Sequence, residues 1–159
     1  MTSLMISGCS CFTKNTPKDH ATSSKSMYDE SLAHGKYNSP EEYIEKGSNE
    51  DFIMTAGNRI LFPFDSFSIT EEEKNILDKQ IAWLKEYDEY DIVLEGHCDE
   101  RGTREYNIAL GEKRANTIKK YMTKNGINEK RIKEVISYGK DKPLVEGSNE
   151  EAWRLNRRG

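Results

Sequence analysis

The chain has 159 residues, with 24 Lys and Arg against 28 Asp and Glu, a formal net charge of −4. That acidic balance excludes broad electrostatic binding of nucleic acid, which needs a basic surface. Three cysteines exclude a disulfide scaffold, and no stretch approaches the roughly 20 apolar residues of a membrane-spanning helix. With 33% charged and 35% hydrophobic residues, the composition fits one compact domain joined to a polar segment.

At the start of the chain, Leu4-Met5-Ile6-Ser7-Gly8-Cys9 places apolar and then small residues before a cysteine. This is the pattern of a bacterial lipoprotein cleavage site. Segment 1–12 is therefore predicted to be the remnant of a signal, with Cys9 as the lipidation site. Each buried methylene of a diacylglycerol on that sulfur contributes about 0.8 kcal/mol of membrane affinity. No Lys or Arg precedes Cys9, whereas a signal peptide has a basic start and about 7–15 apolar residues. The expected start therefore lies upstream of Met1. Residues 13–51 are rich in Lys, Ser, Thr, Asn, Asp and Glu and include Pro17 and Pro40, the composition of a disordered polar tether.

Residues 52–159 read as the folded domain. Arg59–Phe64 is predicted to be a short strand, with Pro63 marking an edge or an end. Thr70-Glu71-Glu72-Glu73 has the form of a capping box, in which Thr70 and Glu73 serve each other's amides. The helix it opens carries Leu77, Ile81 and Leu84 on one stripe. Ile92-Val93-Leu94 is a strand ending at Gly96. Tyr106–Lys124 is a helix with Ile108, Ala115, Ile118 and Met122 on one face, stopped by Asn125-Gly126. Glu134–Tyr138 is a third strand, closed by Gly139. Ser148-Asn149-Glu150-Glu151 is a second capping box before a short helix with Trp153. The order β-α-β-α-β-α gives an α/β domain, a sandwich of helices packed on a small sheet.

Residues from His97 to Arg114 hold the densest run of chemically capable side chains, at the carboxyl end of a strand where ligands often bind. A catalytic reading of His97-Cys98-Asp99 fails on geometry, because alternate residues of a strand point to opposite faces. His20 and His34, the other histidines, belong to the tether, so no catalytic residues are expected. His97 and Asp99 alone make too few ligands for a metal, and no cofactor is expected. Cys98 reads as a small buried apolar residue. Asp99 and Arg114 admit two readings. They form either a pocket that accepts an ammonium on Asp99 and a carboxylate on Arg114, or a structural salt bridge with each other.

Residues 95–115, EGHCDERGTREYNIALGEKRA, closely resemble the signature of the OmpA-like C-terminal domain family. Phe62-Pro63-Phe64-Asp65-Ser66, Ser137-Tyr138-Gly139 and Asn156-Arg157-Arg158 resemble further landmarks of that family, in the right order, so the likeness runs from about Phe52 to Arg158. Among the family's lipid-anchored members, the resemblance implies a non-enzymatic module that grips peptidoglycan at the meso-diaminopimelate of its stem peptide. Carried onto matching positions, it implies Asp99 and Arg114 as the main ligands and the backbone near Phe64 and Asp65 as a carboxylate receptor. Thr103 and Leu110 would line the pocket and Arg101 would stand at its rim. It further implies TolB and the other Tol components as partners. The lipid would lie in the outer membrane of a Gram-negative bacterium, with the domain facing the periplasm. Another wall-binding module of this family, or an envelope metal hydrolase using His97 and Asp99, are the alternative functions. The family continues past Asn-Arg-Arg into a final strand, so the sheet is expected to lack a strand and to expose an edge.

Overall fold

The computed structural model describes residues 44–159. Segment 1–12 with the Cys9 lipidation site, and tether residues 13–43, lie outside the described residues.

Helix α1, Asn49–Thr55, begins within the stretch expected to be tether. Ser48 caps it, its hydroxyl accepting the Asp51 amide at 3.1 Å. Seven residues are too few to hold a helix in isolation, so tertiary contacts must fix it. Phe52 packs edge-on against Trp83, with ring centroids 5.0 Å apart. The Trp83 indole donates to the Asp51 carboxylate at 2.7 Å. Residues 49–51 of the stretch expected to be tether are therefore helical.

Helix α2, Glu71–Glu86, starts where predicted, with the Thr70 hydroxyl accepting the Glu73 amide. Its capping box is half made. The Glu73 carboxylate accepts the Leu61 amide at 2.8 Å instead of serving Thr70, and so ties the preceding segment to α2. Strand β1 (Ile92–His97) leads through helix α3 (Arg104–Lys124) to strand β2 (Ile132–Gly139), and the two strands pair in parallel. A parallel pair needs such a crossover, and α3 packs on both strands. Leu77, Ile81 and Leu84 of α2 meet Ala115, Ile118 and Met122 of α3 in one core with Leu94. Gly126, at φ 99, ends α3 in a Schellman turn, with Ile127 donating to Met122 and Gly126 to Thr123. Helix α4, Glu150–Asn156, is capped by Asn149, one residue later than the expected box at Ser148.

Arg59–Phe64 does not form the predicted strand. It makes one antiparallel bridge, Leu61 with Arg158. Ile60 and Gly159 exchange backbone hydrogen bonds at 2.9 and 2.8 Å, and the Phe62 amide donates to Arg157 at 2.9 Å. Pro63 has no amide hydrogen to extend the ladder, and the chain then turns at Phe64 and Asp65. On its other side, Arg158 accepts the His97 amide at 2.9 Å. Residues 157–159 thus bridge 60–62 to β1, so the sheet edge expected to be exposed is covered over these residues.

The seam between α3 and β1 depends on two glycines. A Cβ on Gly96 would lie 1.9 Å from the Gly111 carbonyl oxygen, and one on Gly111 would lie 2.4 Å from Ser137 Oγ. Helix and strand approach this closely only because neither residue has a side chain. Gly96→Ala is expected to lower the unfolding free energy by about 3 kcal/mol through overpacking, as measured by urea denaturation.

Candidate functional site

The end of β1, the first three turns of α3, the turn at Phe64 and Asp65, and Arg157 after α4 surround a cavity of about 190 Å³. Chain direction explains the convergence. Strand β1 delivers Asp99 just past its end, and α3 begins five residues later at Arg104. Leu110 and Arg114, one turn apart, then face back toward the same spot.

Arg114 has no exposed surface. Its Nε donates to the Ser66 carbonyl at 2.8 Å and Nη2 to the Pro63 carbonyl at 3.3 Å. Nη1 donates to the His97 carbonyl at 2.7 Å and to Cys98 Sγ at 3.4 Å. A guanidinium has five N–H groups, so one hydrogen on Nη2 has no acceptor among the described residues. Burial pushes the Arg114 pKa below its ordinary value. The turn it holds is unusual, since Asp65 adopts φ 52, a region that non-glycine residues seldom enter. The Tyr106 hydroxyl donates to the Asp65 carboxylate and steadies the turn.

Asp99 is also buried, and its partners are not Arg114. Its Oδ1 accepts the Arg101 amide at 3.1 Å and Arg101 Nε at 3.2 Å. Its Oδ2 accepts Arg101 Nη2 at 2.6 Å and Arg157 Nη1 at 3.3 Å. Burial raises the Asp99 pKa, but hydrogen bonds from Arg101 and then Arg157 outweigh it and hold the carboxyl below its usual value. The structure therefore does not contain the alternative salt bridge between Asp99 and Arg114. Two oppositely charged groups line one cavity, each held by other partners.

Of the residues singled out from the sequence, the cavity brings together Phe64, Asp65, Asp99, Arg101, Leu110 and Arg114. Thr103 is not among its walls. It is the exposed N-cap of α3, where its hydroxyl accepts the Tyr106 amide. In the sequence Arg157 stands out only as part of the Asn156-Arg157-Arg158 run. It is buried, donates to the Phe62 carbonyl at 3.1 Å and to Glu150 at 2.8 Å, and reaches Asp99 from the far end of the domain. Asn107 closes the floor, donating to the Arg101 carbonyl at 2.7 Å.

Cys98 also borders the cavity, but burial pushes its thiol up to about 11, so it is protonated at neutral pH and a poor nucleophile. His97 is not part of the cavity wall. It stacks on Tyr138 with centroids 5.4 Å apart and places Nε2 at 3.2 Å from Glu95. Among the described residues, no three His, Cys, Asp or Glu side chains are grouped to hold a metal ion.

Burial, and then the charges of Arg158 and Lys142, push the His97 pKa down from 6.5 to about 4. Between those values the unfolded chain binds the extra proton and the folded chain does not. Stability is therefore expected to fall as the pH drops from about 6.5 to about 4. His97→Asn should flatten that part of the stability curve, as read from urea unfolding of both chains across the range.

A family model described as the OmpA family matches residues 61–157. The peptidoglycan-associated lipoprotein of Rhizobium meliloti is 46% identical over 112 residues, covering 70% of this chain and 63% of the relative. The protein of the same name from Pseudomonas aeruginosa is 37% identical, covering 72% of this chain and 67% of the relative. The chain thus spans less than two thirds of the Rhizobium relative. The crystal structure of the peptidoglycan-associated lipoprotein from Burkholderia pseudomallei superposes with a TM-score of 0.60 at 37% identity, covering 63% of this chain and 84% of that one. The cell wall anchor of the T6SS from Pseudomonas aeruginosa shares the fold, with a TM-score of 0.53 at 22% identity over 62% of this chain and 70% of that one. With the model matching more than half of its length, the chain belongs to the OmpA family.

Proposed function

We propose that the chain is a non-catalytic wall-binding module that holds peptidoglycan through the meso-diaminopimelate of the stem peptide. One observation carries this reading: Asp99 and Arg114 line the same cavity without pairing with each other. The side chain of diaminopimelate ends in an ammonium and a carboxylate on one carbon. Asp99 complements the first. The free Nη2 hydrogen of Arg114 and the backbone at Phe64 and Asp65 complement the second. Leu110 packs against the methylenes between. A lysine side chain presents the ammonium alone and leaves Arg114 unanswered. The names of the relatives, peptidoglycan-associated lipoprotein, support the wall as the partner.

The wider assignment follows from that reading and from the start of the sequence. Lipid on Cys9 holds the outer membrane, residues 13–43 give reach, and the domain in the periplasm grips the wall. Extended chain spans at most roughly 3.3–3.6 Å per residue. Reversible, non-covalent gripping suits a link that moves during constriction at cell division. It fits a place beside TolB in the Tol–Pal system.

The test is calorimetric titration of the full chain with a stem tripeptide ending in meso-diaminopimelate. Asp99→Asn is expected to weaken binding by about 10- to 100-fold, the scale of one or two charge-assisted hydrogen bonds. Arg114→Lys is expected to lose binding by a similar factor and also to lower stability, because a lysine cannot reach four acceptors at once. The lysine-ended tripeptide should bind the wild type no better than the diaminopimelate peptide binds Asp99→Asn. Equal affinity for the two peptides would remove the zwitterion reading.

A further inference from the structure

Asp99 is fully subscribed in this structure. A carboxylate offers about four lone-pair positions, and four donors fill them: the Arg101 amide, Arg101 Nε, Arg101 Nη2 and Arg157 Nη1. An arriving ammonium finds no open oxygen, so one donor must leave. The Arg101 amide is fixed in a tight turn two residues after Asp99. The Arg157 side chain is 6% exposed and is also held by the Phe62 carbonyl and by Glu150. The Arg101 side chain is 31% exposed. Apart from Asp99, it is held by ring faces and by Glu150 at 4.0 Å. Its guanidinium lies 4.1 Å from the Phe64 ring centroid and 4.0 Å from that of Trp153. Phe64 is 60% exposed, so this outer ring is free to move.

We propose that Arg101 is a displaceable internal occupant of the site, an autoinhibitory contact that a ligand's ammonium replaces on Asp99. The inference rests on the reading of Asp99 as the ammonium acceptor. The exchange swaps one cation for another, so the buried carboxylate is never left bare, a state that would be costly. It also sets selectivity. A simple amine must offset the loss of a bidentate pair by itself, whereas a ligand whose carboxylate is also held by Arg114 brings a second anchor. A neutral group cannot make the exchange at all. The displaced guanidinium leaves the Trp153 ring, which stays pinned by its indole donating to Glu100 at 2.9 Å. Trp153 is thereby a reporter of the exchange.

The experiment uses the full chain, as wild type and as Arg101→Gln. Its probes are the stem tripeptide ending in meso-diaminopimelate and the same peptide with its side-chain amine acetylated. Affinity is measured by calorimetry, and the indole N–H signal of Trp153 is followed by NMR. Arg101→Gln is expected to bind the free-amine peptide about fivefold more tightly, the worth of a partly exposed ion pair removed as competitor. The Trp153 signal should move on saturation of the wild type and stay nearly still in the variant. Equal or weaker binding by a variant with the wild-type unfolding midpoint would overturn the proposal, and so would a fixed Trp153 signal in saturated wild type. If the variant does not fold, the wild-type signal decides alone. Absence of binding by folded wild type, or equal binding of the acetylated peptide, would instead overturn the assignment of Asp99 on which the proposal rests.

Discussion

A single guanidinium with no exposed surface holds the site in shape. Arg114 reaches from the middle of α3 to the carbonyls of Pro63, Ser66 and His97. Those acceptors lie on two chain segments, the stretch before α2 and the end of β1. Its carbon also lies 5.2 Å from the Phe62 ring centroid. Burying a cation is expensive unless its hydrogens are satisfied, and here three backbone carbonyls and the Cys98 sulfur take four of the five. The turn at Asp65, with its left-handed backbone, is the shape that this satisfaction requires. The same residue that orders the cavity wall therefore also borders the cavity.

The rest of the charge arrangement follows from keeping Asp99 and Arg114 apart. Had they paired directly, each would have neutralised the other. Arg157 and Arg101 take the carboxylate instead. Arg157 does so from a buried position, tied to Phe62 and Glu150. Arg101 does so from the surface, between two aromatic faces. Hydrogen bonds from Arg101 and Arg157 thus hold the Asp99 carboxyl below its usual pKa, so it stays ionised despite its burial. The close contact of Gly96 with Gly111 sets the distance between the strand that carries Asp99 and the helix that carries Arg114.

The parts of the fold legible in the sequence were those with local signals. The stripe of Leu77, Ile81 and Leu84, the β-branched run at Ile92–Leu94 and the Asn125-Gly126 stop each mark an element by its own residues. Helix α1 was not legible, because it depends on Trp83, which lies 31 residues after Phe52. Arg59–Phe64 has strand-like residues, but its strand state is a matter of partners, and Pro63 and the turn at Asp65 limit it to one bridge. Glu73 shows a similar limit: the motif predicts a local cap, and a tertiary amide at Leu61 takes the carboxylate.

The opposite charges of Asp99 and Arg114, in the polar run that follows β1, were legible in the sequence. Their mutual arrangement was not, since spacing alone fits a salt bridge as well as a pocket. Arg157 lies 58 positions from Asp99 in the chain, and nothing local links the two. Thr103, which the family resemblance implies at the pocket, is placed by the structure at the start of α3. There its hydroxyl accepts the Tyr106 amide and caps the helix.

The most direct test of the account is co-sedimentation of the full chain with purified sacculi. Walls whose stem peptides carry meso-diaminopimelate are compared with walls that carry lysine at the same position. The account predicts that the chain sediments with the diaminopimelate walls and stays in solution with the lysine walls. Equal sedimentation with both, or with neither, would contradict it.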